Sequence, residues 1–200
     1  MTDKKKRGPS KRDIIELSVI VIIFAVIYIT GSQAEVFGKV QQAFLKTGVV
    51  NISLPDESAE AEADYNFQLV DSEGAQLDVR ALKGKTIFIN MWATWCAPCV
   101  AEMPSINALY NKIENKEEIV FLMISYDKEM RSARGWVKRK GFDFPVYQLT
   151  SVLPNMYETG VVPSTFVISP KGKIVLSKTG MANYDTRRFL KFLNKQADKN

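Results

Sequence analysis

The chain has two cysteines, and both fall in one short motif, Trp95-Cys96-Ala97-Pro98-Cys99. Residues 86–92 before the motif are apolar and β-prone, while residues 100–113 after it repeat apolar side chains at helical spacing. The pair therefore stands where a strand hands over to a helix, with Cys96 at the helix N-terminus. Unpaired backbone N–H groups and the positive end of the helix dipole favour a thiolate there. A Cys-x-x-Cys so placed reads as a centre for thiol–disulfide exchange.

Three other chemistries use paired cysteines. Half of a zinc site needs two more ligands, and the chain has no histidine and no third cysteine. A purely structural bridge across two residues closes a very small loop and removes little chain entropy. Covalent haem attachment needs a histidine directly after Cys99, where Val100 stands. The redox reading remains, and it calls for no metal and no cofactor.

The elements that must position this pair can be read from patterning. Strand-like runs fall at 66–70, 76–79, 86–91 and 144–149, and 118–125 is a continuous apolar run suited to a buried parallel strand. Residues 162–169 and 174–177 flank the turn Pro170-Lys171-Gly172-Lys173 and read as a hairpin. Helical patterns cover 98–115, 128–140 (stopped by Gly141) and 184–196. This order predicts an α/β domain over 64–200, a central mixed sheet with helices on both faces.

The N-terminal part is of another kind. Residues 14–29 are apolar except for Glu16, Ser18 and Tyr28, which predicts a transmembrane signal-anchor over 13–31. A cleaved signal peptide is the alternative, because Ser32-Gln33-Ala34 resembles a cleavage site. The formal charge of +5 resides in residues 1–12, with six Lys/Arg and one Asp, while the rest of the chain holds 21 basic and 21 acidic residues. The basic character is thus a topology signal that places residues 1–12 in the cytoplasm and the domain outside it. It gives no reason to expect nucleic-acid binding; the locally basic stretch 131–140 reads as a solvated helix face. Residues 35–47 form a short helix with Val36, Phe37, Val40 and Phe44 on one face, against the membrane surface or as a spacer. The acidic stretch 51–64 reads as a linker, completing a juxtamembrane segment over 32–63.

Three motifs in order carry a resemblance to a known family: Trp92-Ala93-Thr94-Trp95-Cys96-Ala97-Pro98-Cys99, Glu102-Met103-Pro104, and Gly160-Val161-Val162-Pro163-Ser164-Thr165-Phe166. Over about residues 64–196 the chain resembles the TlpA/ResA-like membrane-anchored thioredoxins, and the expected fold is thioredoxin-like, preceded by one transmembrane helix. Within it Cys96, nearer the surface, is expected to attack, its pKa lowered by one to several units from about 8.5. Cys99, one turn deeper, is expected to resolve the mixed disulfide. Pro98 orders the start of the helix. Ordinary thioredoxins carry a buried Asp on the preceding strand, where this chain has Asn90, which cannot titrate. The resemblance implies that Glu102 takes the acid/base role instead; read by itself, Glu102 is equally an ordinary helix-surface carboxylate. It also implies that the Val162-Pro163 bond is cis and that the Val162 backbone pairs with an extended substrate segment beside Cys96. Trp95 would shape that surface, and Trp92 either shapes it or belongs to the core.

The resemblance implies a protein-disulfide reductase in the cytoplasmic (inner) membrane, its catalytic domain on the periplasmic side. Its expected substrates are protein thiols and disulfides such as c-type cytochrome apoproteins, with electrons from a transmembrane thiol donor. A disulfide-forming oxidant would use the same residues in the opposite direction. A metal or haem chaperone module is the non-catalytic alternative, and copper-delivering relatives pair their cysteines with a histidine that is absent here. Peroxidatic relatives carry Pro-x-x-x-Thr-x-x-Cys, and Asn90 and Thr94 stand at the wrong offsets from Cys96 for that pattern.

Overall fold

A computed structural model of the chain describes residues 11–29, 33–46, 52 and 61–198. The first ten residues, residues 30–32 with Ser32 of the candidate cleavage site, and the acidic stretch 53–60 lie outside the described residues. The elements are α1 (Lys11–Ile29), α2 (Gln33–Lys46), β1 (Ala61–Glu62), β2 (Gln68–Asp71), β3 (Gln76–Asp78), β4 (Thr86–Trp92), α3 (Ala97–Lys112), β5 (Ile119–Ser125), α4 (Met130–Lys140), β6 (Val146–Leu149), β7 (Ser164–Ile168), β8 (Lys173–Thr179) and α5 (Arg187–Ala197).

All eight strands join one mixed sheet in the order β1-β8-β7-β4-β5-β6-β2-β3. The two apolar runs, β4 and β5, lie parallel at its centre, and β7 runs antiparallel along the other side of β4. Strand β4 is buried along its whole length because it has neighbours on both edges and cover on both faces. Its alternation divides two cores. Phe88 and Trp92 point into a cluster with residues of α3, α4 and α5, such as Met103, Trp136 and Phe189. Ile87, Ile89 and Met91 point the opposite way, onto Val79, Leu82, Leu153 and Tyr157.

The two faces are therefore covered differently, which corrects the expectation of helices on both. Among the described residues, α3, α4 and α5 all pack in the first core. The second is closed by the short 3-10 turns Val79–Leu82 and Asn155–Tyr157 and their loops. Those turns are too short to show a helical period, so patterning could not reveal them. Helix α4 ends where Gly141 takes a left-handed conformation, φ +66°, closing the helix with N–H bonds to Lys138 and Val137 carbonyls.

Helix α1 occupies the predicted anchor, but no helix among the described residues is long and apolar enough to cross a membrane. Its first turns carry Lys11, Arg12, Asp13 and Glu16. The apolar part that follows is about 20 Å long at about 1.5 Å per residue, against a hydrocarbon core about 30 Å thick. Its apolar side chains are open: Ile14, Leu17, Ile20 and Ile23 are between 50% and 63% exposed.

Helix α2 belongs to the same compact unit as the sheet, residues 34–200. A Cβ at Gly38 would lie 2.8 Å from Val100 Cγ1 and 3.2 Å from the Ala97 carbonyl oxygen, so glycine lets α2 approach the first turn of α3. Leu45 is buried, and Glu35 pairs with Lys140 of α4 at 3.1 Å. Val36 and Phe37 of the expected apolar face are exposed; the side chains of Val40 and Phe44 lie outside the description.

Candidate redox site

The site forms where β4 ends and α3 begins. Cys96 is the N-cap of α3, with extended φ −91° and ψ 103°, and the backbone N–H of Cys99 donates to its sulfur at 3.2 Å. Proline at Pro98 costs nothing here, because N–H groups in the first turn have no intrahelical acceptor. Cys96 and Cys99 are joined in a disulfide with a Cα–Cα distance of 5.2 Å. The sulfurs are not equivalent: Cys96 retains 6% exposure and Cys99 none. Once the bond is opened, the Cys99 N–H is a donor already aimed at a Cys96 thiolate.

Across from Cys96 lies the turn that leads into β7. The Val162-Pro163 peptide is cis, and the Val162 carbonyl oxygen is 3.6 Å from Cys96 Sγ. The turn is held by its own hydroxyls, with Thr159 and Ser164 both donating to the Val161 carbonyl at 2.9 Å. Gly160 supplies the left-handed residue it needs, φ +71°. Trp95 and Val161 are 63% and 53% exposed, an apolar rim around a partly covered sulfur. Trp92 is core, fully buried against Trp136 at 5.5 Å between ring centroids.

Glu102 is not a surface carboxylate. It is fully buried, one turn after Cys99, on the side of α3 that faces β4. Asn90 Nδ2 donates to its Oε1 at 2.8 Å and to Thr165 Oγ1 at 2.9 Å, and the Ala182 N–H donates to its Oε2 at 3.1 Å. Tyr184, also fully buried, donates its hydroxyl to Thr165 at 2.6 Å. Desolvation pushes the Glu102 carboxyl up from 4.5 to about 8, although the Asn90 and Ala182 donors and the Lys178 charge pull it down. Burial and the neighbouring Glu102 charge hold the Tyr184 hydroxyl well above its ordinary range, so it remains a donor.

The structure thus brings Cys96, Cys99, Trp95, Pro98, Val162 and Pro163 together at one end of the sheet, with Glu102 beneath them. Sequence reasoning missed Asp127. Its carboxylate accepts from the Thr94 N–H at 3.0 Å, the Thr94 hydroxyl at 2.5 Å and the Ser125 hydroxyl at 2.8 Å, pinning the loop before Trp95. A lone Asp after a strand carries no spacing signal that could have revealed it.

The raised Glu102 pKa has a consequence for stability. The unfolded chain releases this proton near pH 4.5, whereas the folded chain keeps it to about pH 8, so stability falls as pH rises through that window. With no histidine in the chain, little else changes charge there. Glu102→Gln should flatten the decline, read as urea midpoints for both proteins at about pH 5 and about pH 8. A variant and parent that lose stability in parallel would show that Glu102 does not titrate in this range.

Comparison with known proteins agrees with this geometry. A family described as the AhpC/TSA family matches residues 60–177. The thiol-disulfide oxidoreductase ResA of Geobacillus thermodenitrificans is 34% identical over 127 residues, 62% of this chain and 72% of that protein. The ResA of Bacillus cereus is 35% identical over 111 residues, and the match spans 55% of this chain and 64% of that relative, just under two thirds of its length. A thioredoxin-family thiol:disulfide interchange protein from Chlorobium tepidum superposes with a TM-score of 0.56 at 23% identity, covering 69% of this chain and 99% of that one, and shares the fold. With the thioredoxin-like sheet and the Cys96/Cys99 pair at the head of α3, the chain belongs to the AhpC/TSA family and to the TlpA/ResA-like thioredoxin-fold proteins.

Proposed function

We propose that the protein is a thiol–disulfide oxidoreductase that reduces disulfides of other proteins through Cys96 and Cys99. The observation that carries this reading is the Cys96–Cys99 disulfide at the α3 N-terminus, with the Cys96 sulfur facing the Val162 carbonyl beside a cis proline. In the reduced protein the Cys96 thiolate attacks one sulfur of a substrate disulfide. A mixed disulfide forms, and the displaced substrate sulfur takes a proton. Cys99 then gives its proton to the Glu102 carboxylate and attacks the Cys96 sulfur, which releases the second substrate thiol. The substrate gains two electrons and the enzyme ends in the disulfide form. Its dithiol is restored by two electrons and two protons from a thiol donor.

The two sulfurs suit these roles because the attacking one is reachable and the resolving one is not. The backbone of Val162 offers hydrogen bonds to an extended substrate segment, and Trp95, Pro98 and Val161 offer apolar contact. Substrates of this kind are c-type cytochrome apoproteins and other protein thiols outside the cytoplasm, and the donor is a thiol relay within the membrane. The N-terminal segment 13–31 is proposed to hold the domain on the outer side of the cytoplasmic membrane. Its support is the exposed apolar surface of α1 and the basic residues that precede it.

Cys99→Ser should accumulate mixed disulfides between Cys96 and its substrates, seen as dithiol-sensitive adducts that Cys96→Ser abolishes. Absence of any adduct would remove protein-dithiol exchange from consideration. In growing cells, acid quenching and thiol alkylation should find the pair mostly reduced. A fully oxidised pair would reverse the assigned direction of electron flow. Carbonate extraction should leave the full-length chain with the membranes, and a shortened soluble protein would exclude the anchor.

A further inference from the structure

The amide of Asn90 is arranged in a way that the exchange chemistry does not by itself require. Both of its N–H bonds are used, one on Glu102 Oε1 and one on Thr165 Oγ1, while Asn90 Oδ1 is buried with no hydrogen-bond partner among the described residues. Glu102 receives donors on both oxygens, from Asn90 and from the Ala182 N–H. That arrangement serves an ionised carboxylate, which only accepts. A protonated Glu102 must donate its O–H, and an NH2 group cannot accept it.

We infer that Asn90 is the positioning residue for Glu102 in both of its protonation states, turning its amide over when Glu102 gains or loses its proton. The two ends of an amide have nearly the same shape, so a half-turn about the terminal bond exchanges Oδ1 and Nδ2 within the same space. In the turned form Oδ1 accepts from the Glu102 O–H and from the Thr165 hydroxyl. Thr165 is free to make this change because Tyr184 supplies its other partner, donating to Oγ1 at 2.6 Å in either state. The register makes the device possible: Asn90 and Thr165 are directly opposed across β4 and β7, on the face that meets α3.

The groups around Glu102 set what the turn does. Lys178 on β8 and the Ala182 N–H favour the carboxylate, the Tyr184 hydroxyl remains a neutral donor, and Cys99 lies one turn earlier on α3. Asn90 is the neighbour that changes from donor to acceptor as the proton moves. An aspartate at this place would itself hold a proton and compete with Glu102 for it. An amide holds either form of Glu102 without titrating. This inference rests on the proposed acid–base role of Glu102 for its purpose, but its test does not.

The test uses the full-length, 15N-labelled protein in its oxidised form with no substrate. The Asn90 side-chain amide resonances should shift with one midpoint, equal to that of the Glu102 carboxyl followed by 13C, and should stop shifting in Glu102→Gln. Asn90→Leu should raise the Glu102 midpoint by at least one pH unit, a tenfold change in proton affinity. Asn90→Asp, which keeps shape and polarity should the leucine not fold, should split the titration into two coupled steps. An Asn90 amide that ignores the Glu102 titration, or a Glu102 midpoint unchanged in a folded Asn90 variant, would overturn the inference. Failure of protein-disulfide reduction with these titrations intact would instead count against the proposed function.

Discussion

A carboxyl group sealed between a helix and a sheet is the constraint around which this site is organised. Burying a carboxylate without compensation costs several kcal/mol, so the group must be neutral, hydrogen-bonded or both. The polar residues of the sheet centre follow from that. Along β4 the side chains on the α3 face are Phe88, Asn90 and Trp92, two large apolar groups with an amide between them. On β7 the residue opposite Asn90 is Thr165, and beyond it stand Tyr184 and the Ala182 N–H. Each would be a liability alone in an apolar core, and they are linked in one network, the Ala182 N–H and Asn90 donating to Glu102, Asn90 also to Thr165, and Tyr184 to Thr165. A slip of one residue between β4 and β7 would send Asn90 or Thr165 to the other face and leave Glu102 without its amide.

The disulfide inherits its asymmetry from the same geometry. Helix α3 starts at the end of the central strand β4, and a cysteine at its cap keeps slight exposure while one a turn later has none. The turn carrying the cis proline stands over the first sulfur, and the carboxyl lies beneath the second. Exchange needs one sulfur that a macromolecule can reach and another that only a proton acceptor inside the protein can activate. The first helical turn supplies both positions.

How far this was legible in the sequence varied with the physical signal. The strands and helices of the domain are readable within a few residues, because β4 and β5 are continuous apolar runs and α4 and α5 carry a strong helical period. The cysteine pair was readable because two cysteines at that spacing leave little else chemically sensible. Glu102 was readable as a candidate but its burial was not, since one residue has no periodicity. In the sequence Asn90 stands out only for what it cannot do, namely titrate. Its bond to Thr165 depends on a strand pairing across more than seventy residues, and its bond to Glu102 on how α3 packs on β4; no local pattern encodes either. The cover of the second face is not legible in the sequence for a related reason: short 3-10 turns such as Val79–Leu82 are recognised by where they pack.

Gly38 shows how a residue that looks like a weakness can carry information once its neighbour is known. Within an exposed helix, glycine lowers helical stability by about 1 kcal/mol relative to alanine, which fits a loosely ordered spacer. Here the missing side chain is what permits contact, because any Cβ would press on Val100 and the Ala97 carbonyl. Those two residues lie in the first turn of α3, on either side of Pro98 and Cys99. A spacer has no use for such an approach. A docked helix does, and Glu35 on Lys140 and buried Leu45 hold it there as well. The chain that leads into the domain is thus packed directly against the helix that carries the sulfurs. The placement of α2 and the ordering of that first turn are one structural problem, although composition alone would divide them at the acidic stretch that follows α2.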